Sequence, residues 1–230
     1  KVEGDCYNRE HVFPQGYFNS ASPMVSDIHH IVPTDGKVNG NRSNFPFGKV
    51  GSANFVSANG SKRGTSASPN YSGTVFEPID QYKGDIARLM FYFVTRYEDQ
   101  LSNFYSASSS TSKVMFDGTT GKSFSDSFLN IFITWHLNDP VIQKEIVRNN
   151  AIYARQNNRN PYIDHPEYVC QIWPTQCAAL SSDSFVLENT VSIYPNPASN
   201  NEFSISSEIE LKSIVLYNIN GQIIQEIKNP

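Results

Sequence analysis

The chain has 230 residues, enough for one large domain or a domain with a small appendage, and its 15 Phe and 12 Tyr supply a sizeable core. Its net charge of −4 excludes a uniformly basic nucleic-acid binder; of 18 Lys+Arg and 22 Asp+Glu, residues 177–230 hold 2 and 6, leaving 16 of each in the rest. Any grip on phosphate must therefore be local and cation-assisted. No segment approaches the roughly 20 apolar residues of a membrane span, and the chain opens on Lys1 rather than Met, as a processed or trimmed end would.

In chain order, Arg9–Phe13 and Ile28–Val32 are apolar enough for two strands of an antiparallel pair, ended by Pro14 and Pro33. Gly36-Lys37-Val38-Asn39 opens a short helix, kept brief by Gly40. Residues 51–75 are rich in Ser, Gly and Asn and read as a surface loop. Ile86, Leu89, Met90, Phe93, Val94 and Tyr97 recur at helical spacing and predict a helix within 79–98. Residues 102–121 read as an exposed polar insertion. A second helix over Ser125–His136 carries Phe124, Phe128, Ile131, Phe132 and Trp135 as its buried stripe. Asp139-Pro140 fits an N-cap with proline at the first helical position, predicting a third helix to about Gln156.

After Trp173-Pro174 the texture changes. Residues 1–176 form the first unit, 177–190 a linker and 191–230 a β-rich tail, in which Asn220-Gly221 between two apolar runs predicts a type I′ hairpin. Cys170 and Cys177 close a short loop and are candidates for a disulfide, which would suit an exported protein; three buried thiols is the alternative.

The chemistry concentrates in Glu10-His11 and the run from Asp27 to Asn44, which gathers a carboxylate, imidazoles, carboxamides and a guanidinium. Metal-assisted phosphodiester cleavage needs such a set: a base for water, hard oxygen ligands and a positive fork for phosphate. An imidazole with a pKa near neutrality suits the base, although a structural histidine at a strand end fits the pattern at His11 equally well. His29 and His30 suggest zinc at first sight, but adjacent strand residues point apart and no cysteine lies nearby. One then packs inside, and His30 is assigned a supporting place behind the site. Asp27 is a partner for an imidazole or for the turn.

Three stretches together, Asn8-Arg9-Glu10-His11-Val12-Phe13-Pro14, Asp27-Ile28-His29-His30-Ile31-Val32-Pro33 and Gly36-Lys37-Val38-Asn39-Gly40-Asn41-Arg42-Ser43-Asn44, resemble the bacterial endonuclease I family. Lys83-Gly84-Asp85-Ile86-Ala87-Arg88, Trp135-His136 with Asp139-Pro140, and Asn158 to Tyr168 extend the resemblance over residues 4–175. It implies an α+β fold, a mostly helical domain carrying a small ββα-metal finger followed by a short β-rich tail. It also implies a secreted, sequence-nonspecific endonuclease of DNA, RNA or both, leaving 5′-phosphates. His11 becomes the base that activates water and Glu10 a ligand of one Mg²⁺, with Mn²⁺ or Ca²⁺ as alternatives. Asn39 is the second ligand, with Asn44 as fallback and turn chemistry as the reading for Asn41. Arg42 is the expected phosphate contact; Arg88, Arg148, Arg155 and Arg159 are weaker candidates. Glu77 and Asp85 are expected to anchor the scaffold, and the Asn158–Tyr168 run to lock the last helix near the site. The Ser192-Ile193-Tyr194-Pro195-Asn196-Pro197 run resembles the type IX secretion sorting domain, implying the secretion machinery as a partner. Two rivals remain: a noncatalytic cell-surface binding protein with the tail as anchor, and a zinc hydrolase built on His11, His29 and His30.

Overall fold

The computed structural model describes residues 2–68, 70–180, 191–199, 202–207, 213–218 and 222–228. Strand β1 (Tyr7–His11) pairs antiparallel with β2 (Ile31–Asp35), Glu10 opposite Val32 and His11 opposite Ile31. Both strands are displaced from the predicted spans. Val12 and Phe13 are wholly buried and belong to the core rather than to the ribbon, and Ile28–His30 is a 3-10 turn capped by Asp27. Pro33 lies inside β2 instead of ending it. The Val12 N–H donates to His30 O and the Gly36 N–H to Cys6 O, so Arg9–Pro33 is a non-hydrogen-bonded pair where a missing N–H costs no ladder bond.

Helix α1 (Gly36–Arg42) starts where the Asp35 carboxylate accepts from the backbone N–H groups of Lys37 and Val38, satisfying donors the first turn leaves open. It runs through Gly40 for two turns and completes a β-β-α unit.

The predicted surface loop is instead a three-stranded antiparallel sheet, β3 (Val50–Val56), β4 (Lys62–Ser66) and β5 (Thr74–Glu77). Most of β3 is exposed, so no period-two apolar alternation announces it; backbone pairing carries it.

Helix α2 (Lys83–Arg96) buries every position from Ile86 to Val94 and forms the axis of the core. Phe93 of α2 stacks on Phe13, ring centroids 3.6 Å apart, which pins the chain just beyond His11. Residues 102–121 are less exposed than expected: α3 (Leu101–Ala107) is followed by a 3-10 segment, Thr111–Met115, that buries Met115, with Phe116 beside it. Helix α4 (Asp126–Asn138) packs Phe128, Phe132 and Trp135 inward as its pattern required.

Helix α5 (Gln143–Gln156) begins later than predicted. Asp139 does not cap it; its carboxylate accepts from the Gly84 N–H at the start of α2. The α2–α5 lock is a wholly buried Arg88 bound through two nitrogens to Glu145, at 2.6 and 2.7 Å, with Asp85 at 3.2 Å and the Asp139 carbonyl at 2.7 Å. Asp85 thus does anchor the scaffold, as does Glu77, which holds Lys83 and the Val50 N–H. Short helices α6 (Pro161–Asp164) and α7 (Tyr168–Ile172) follow, Asn160 capping the former. Cys170 and Cys177 form the anticipated disulfide.

The chain divides into Lys1–Cys177 and Ala178–Pro230. Residues 177–180 are helical, while the remainder of the expected linker and the Asn220-Gly221 turn lie outside the described residues. Among the described residues the second unit holds two antiparallel ribbons, β6 (Val191–Ser199) with β7 (Glu202–Ser207), and β8 (Ser213–Tyr217) with β9 (Ile223–Lys228). The architecture is α+β. Among the described residues no helix is long and apolar enough to cross a membrane.

Candidate active site

His11 is the last residue of β1 and half-buried. Its Nε2–H donates to Val25 O at 3.0 Å, and its Nδ1 accepts from the Gln15 amide at 3.0 Å. These two contacts are consistent with one tautomer, in which Nδ1 carries the basic lone pair. The buried His30 ring stands edge-on to His11, centroids 5.5 Å apart, and its own Nε2–H donates to Met24 O at 2.7 Å. Burial pushes the His30 pKa down to about 4, so it supports His11 as a neutral wall.

Glu10 precedes His11 at the end of β1, lies against Arg42 of α1 and is 7% exposed. Burial raises its pKa, with the Arg42 guanidinium pulling the other way. Oε1 lies 3.1 Å from Arg42 Nη1 yet has no aligned hydrogen bond. Asn39 and Arg42, three residues apart, share the α1 face that covers β1: Asn39 Nδ2 donates weakly to Arg9 O, and no described residue donates to its Oδ1. A carboxylate oxygen short of donors and a free carboxamide oxygen on the facing helix are hard ligands, a set that fits a Mg²⁺-like ion completing its shell with water.

Arg42 departs from the expected open phosphate contact. It is 3% exposed, lies over the Phe47 ring at 4.5 Å, and donates to Val12 O at 2.7 Å, Ser43 O at 2.9 Å and His11 O at 3.4 Å. Its Nη1 and Nη2 donors tie α1 to the end of β1, while its buried Nε has no hydrogen-bond partner among the described residues. Among the weaker arginine candidates, Arg88 is the buried lock, Arg148 donates to the carbonyls of Ile28 and Ile31, and Arg159 pairs with Asp164.

Asn44 is exposed beyond the end of α1, its Nδ2 against Gly16. Asn41 donates to Lys37 O within the helix. Asp27 serves the turn and two phenols rather than an imidazole: it accepts from the His29 N–H, Tyr92, Tyr97 and Gln156. Burial alone would raise its pKa, but these hydrogen bonds outweigh it and hold it low. His29 and His30 diverge, His29 onto Tyr92 and Asn158 O, His30 onto Phe93 and Met24 O. Among the described residues no group of three or more His, Cys, Asp or Glu is arranged to hold a metal, so the zinc alternative lacks its ligand cluster. The Asn158–Tyr168 run does lock α5: Asn160 joins Asn149 of α5 to Arg88 O of α2.

Two contributors were missed. Gln15 follows Pro14 in a 3-10 turn that brings it back over His11, a geometry the sequence hints at only through that proline. The Val25 carbonyl carries no side-chain signal at all.

Residues 1–167 match the family model described as Endonuclease I, and the chain belongs to that family. Residues 192–230 match the model described as Secretion system C-terminal sorting domain. The chain is 37% identical over 172 residues to an extracellular ribonuclease of Bacillus amyloliquefaciens, covering 73% of this chain and 54% of that protein. It is 36% identical over 181 residues to the extracellular ribonuclease of Bacillus subtilis (strain 168), with the same coverage. It is 28% identical to an Endonuclease-1 of Buchnera aphidicola subsp. Baizongia pistaciae over 140 residues, 61% of this chain and 46% of that one. The chain thus spans about half the length of the curated relatives it matches.

Proposed function

We propose that this protein is a secreted, metal-dependent endonuclease that hydrolyses phosphodiester bonds of DNA, RNA or both without sequence preference. Family membership and the extracellular ribonuclease relatives support nuclease activity, and the sorting-domain match supports export. The observation that carries the reading is His11: Val25 O holds Nε2–H, leaving Nδ1 to take a proton once water replaces the Gln15 amide.

Glu10 and Asn39 would hold the cation, which when bound supplies positive charge against that building on the phosphate. His11 removes the proton from an attacking water, and the Val25 carbonyl stabilises the imidazolium formed. Arg42 keeps α1 and Glu10 in register with β1; it does not touch substrate. In-line attack of this kind leaves a 5′-phosphate when the 3′-oxygen departs.

Supercoiled plasmid and a structured RNA, each incubated with the full chain and Mg²⁺, should be cut, and EDTA should abolish cutting. Product ends should accept label from polynucleotide kinase only after phosphatase treatment. Nucleic acid left intact with Mg²⁺ or Mn²⁺ overturns the reading in favour of a binding protein.

A further inference from the structure

With Arg42 buried, a grip on the nucleic acid must come from other residues near the site. The outer face of the ribbon supplies one. Side chains alternate along a strand, so Tyr7 and Arg9 share the face of β1 opposite Glu10, and His11 ends that strand. Tyr7 is 90% exposed and the Arg9 side chain is also exposed, with no ion pair among the described residues. Across the ribbon, Arg9 faces Pro33 and His11 faces Ile31, so no carboxylate opposes the cation. Asp35 stands opposite Tyr7, but its oxygens are engaged by the N–H groups of Gly4, Lys37 and Val38. A shallow depression of about 380 Å³ is lined by Tyr7, Asn8 and Arg9 of β1 and by Ile31, Val32 and Pro33 of β2.

We infer that Tyr7 and Arg9 form a nucleotide subsite beside His11, Tyr7 stacking on an unpaired base and Arg9 holding a phosphate next to the scissile one. The inference rests on the nuclease reading and names the form of substrate preferred: a single strand or a locally unpaired segment. Successive same-face side chains on a strand are about 6.6–6.8 Å apart, a spacing that lets a flexible single strand lay one phosphate on Arg9 while the next reaches His11. An aromatic ring standing free at the surface needs an open base face, which a duplex keeps inside its stack. A single guanidinium also suits a domain whose charge balances overall, since contact with phosphate is then local.

The test uses the full chain with a fluorescent single-stranded oligonucleotide and its duplex, binding read by anisotropy in EDTA and cleavage in Mg²⁺. Tyr7→Ala should weaken single-strand binding about tenfold or more, the scale of one lost base stack, and raise KM with kcat kept. Duplex binding should change less than about twofold, and Tyr7→Trp should restore the single-strand affinity. Arg9→Ala should weaken both ligands and flatten the salt dependence of single-strand binding by about 0.7 in log–log slope. Parental single-strand affinity in Tyr7→Ala, or equal losses for strand and duplex, overturns the subsite while a cutting parent leaves the nuclease reading intact. A parent that binds single strands through Tyr7 but never cuts retains the subsite and overturns the nuclease reading instead.

Discussion

Arg42 Nη1 lies 3.1 Å from Glu10 Oε1, and the two side chains are 4% and 10% exposed. A buried charge stripped of its partner is costly, so Arg42→Ala should lower stability by about 3–5 kcal/mol, read as a drop in the urea midpoint. A phosphate-binding arginine would behave differently, raising KM and leaving the midpoint in place.

Replacing His11 with Ala removes the base but no core packing, since the ring is only half-buried. Cleavage should slow about 10²–10⁴-fold, with an unchanged circular dichroism spectrum and cation affinity nearly kept. Glu10→Ala should instead weaken cation binding, measurable by calorimetry. Cleavage of plasmid at the parental rate by His11→Ala would remove His11 from the mechanism.

Asp27 gathers four donors from three parts of the chain. Its Ala variant leaves the hydroxyl protons of Tyr92 and Tyr97 without their acceptor, Tyr92 still accepting from Asn158, at about 1–3 kcal/mol for each unsatisfied group. The loss should appear in thermal unfolding, and activity should fall as the 3-10 turn carrying His30 loosens.

The pH dependence of stability has opposing parts. His30 and His136 are pushed down to about 4 by burial, so the unfolded chain takes protons that the fold refuses, and stability falls from pH 6.5 toward 4. Asp85 is pushed up to about 7, by burial first and then by Glu145. The fold therefore keeps its proton while the unfolded carboxyl, near 3.8, has lost it. That contribution is fully present below 3.8 and is lost as pH rises through 7. Asp85→Asn lacks it, and its urea midpoint should fall more steeply than the parent's between pH 7.5 and 4.5. Parallel curves would refute the assignment.

The Cys170–Cys177 bond closes a loop of seven residues' separation. Cys170→Ser should cost about 2–3 kcal/mol by loop entropy, with activity at room temperature kept, since the bridge anchors α7 and not the ribbon.

What the sequence reveals follows the strength of its patterns. Helices α2 and α4 are legible because Ile86 to Val94 and Phe128 to Trp135 repeat at helical spacing against one core. The sheet β3–β5 is not, because its residues are polar and mostly outward, so their hydrogen bonds rather than their side chains define it. Asp139 has the chemistry of a cap but caps α2 across 55 residues of chain, a choice made through space. Arg42 is buried instead of open to a phosphate for a related reason. Composition gives its charge, while only packing reveals that Phe47, Glu10 and three carbonyls enclose it. Family motifs single out Glu10, His11 and Asn39 as candidates; the partners of His11, Gln15 and the Val25 carbonyl, need the fold.

A divalent cation held by Glu10 and Asn39 is to be sought in an anomalous difference map of crystals soaked in MnCl₂. One strong peak is expected at about 2.0–2.3 Å from a Glu10 carboxylate oxygen and Asn39 Oδ1. A peak on the His29–His30 turn, or on Asn44 with Glu10 and Asn39 both bare, would contradict it.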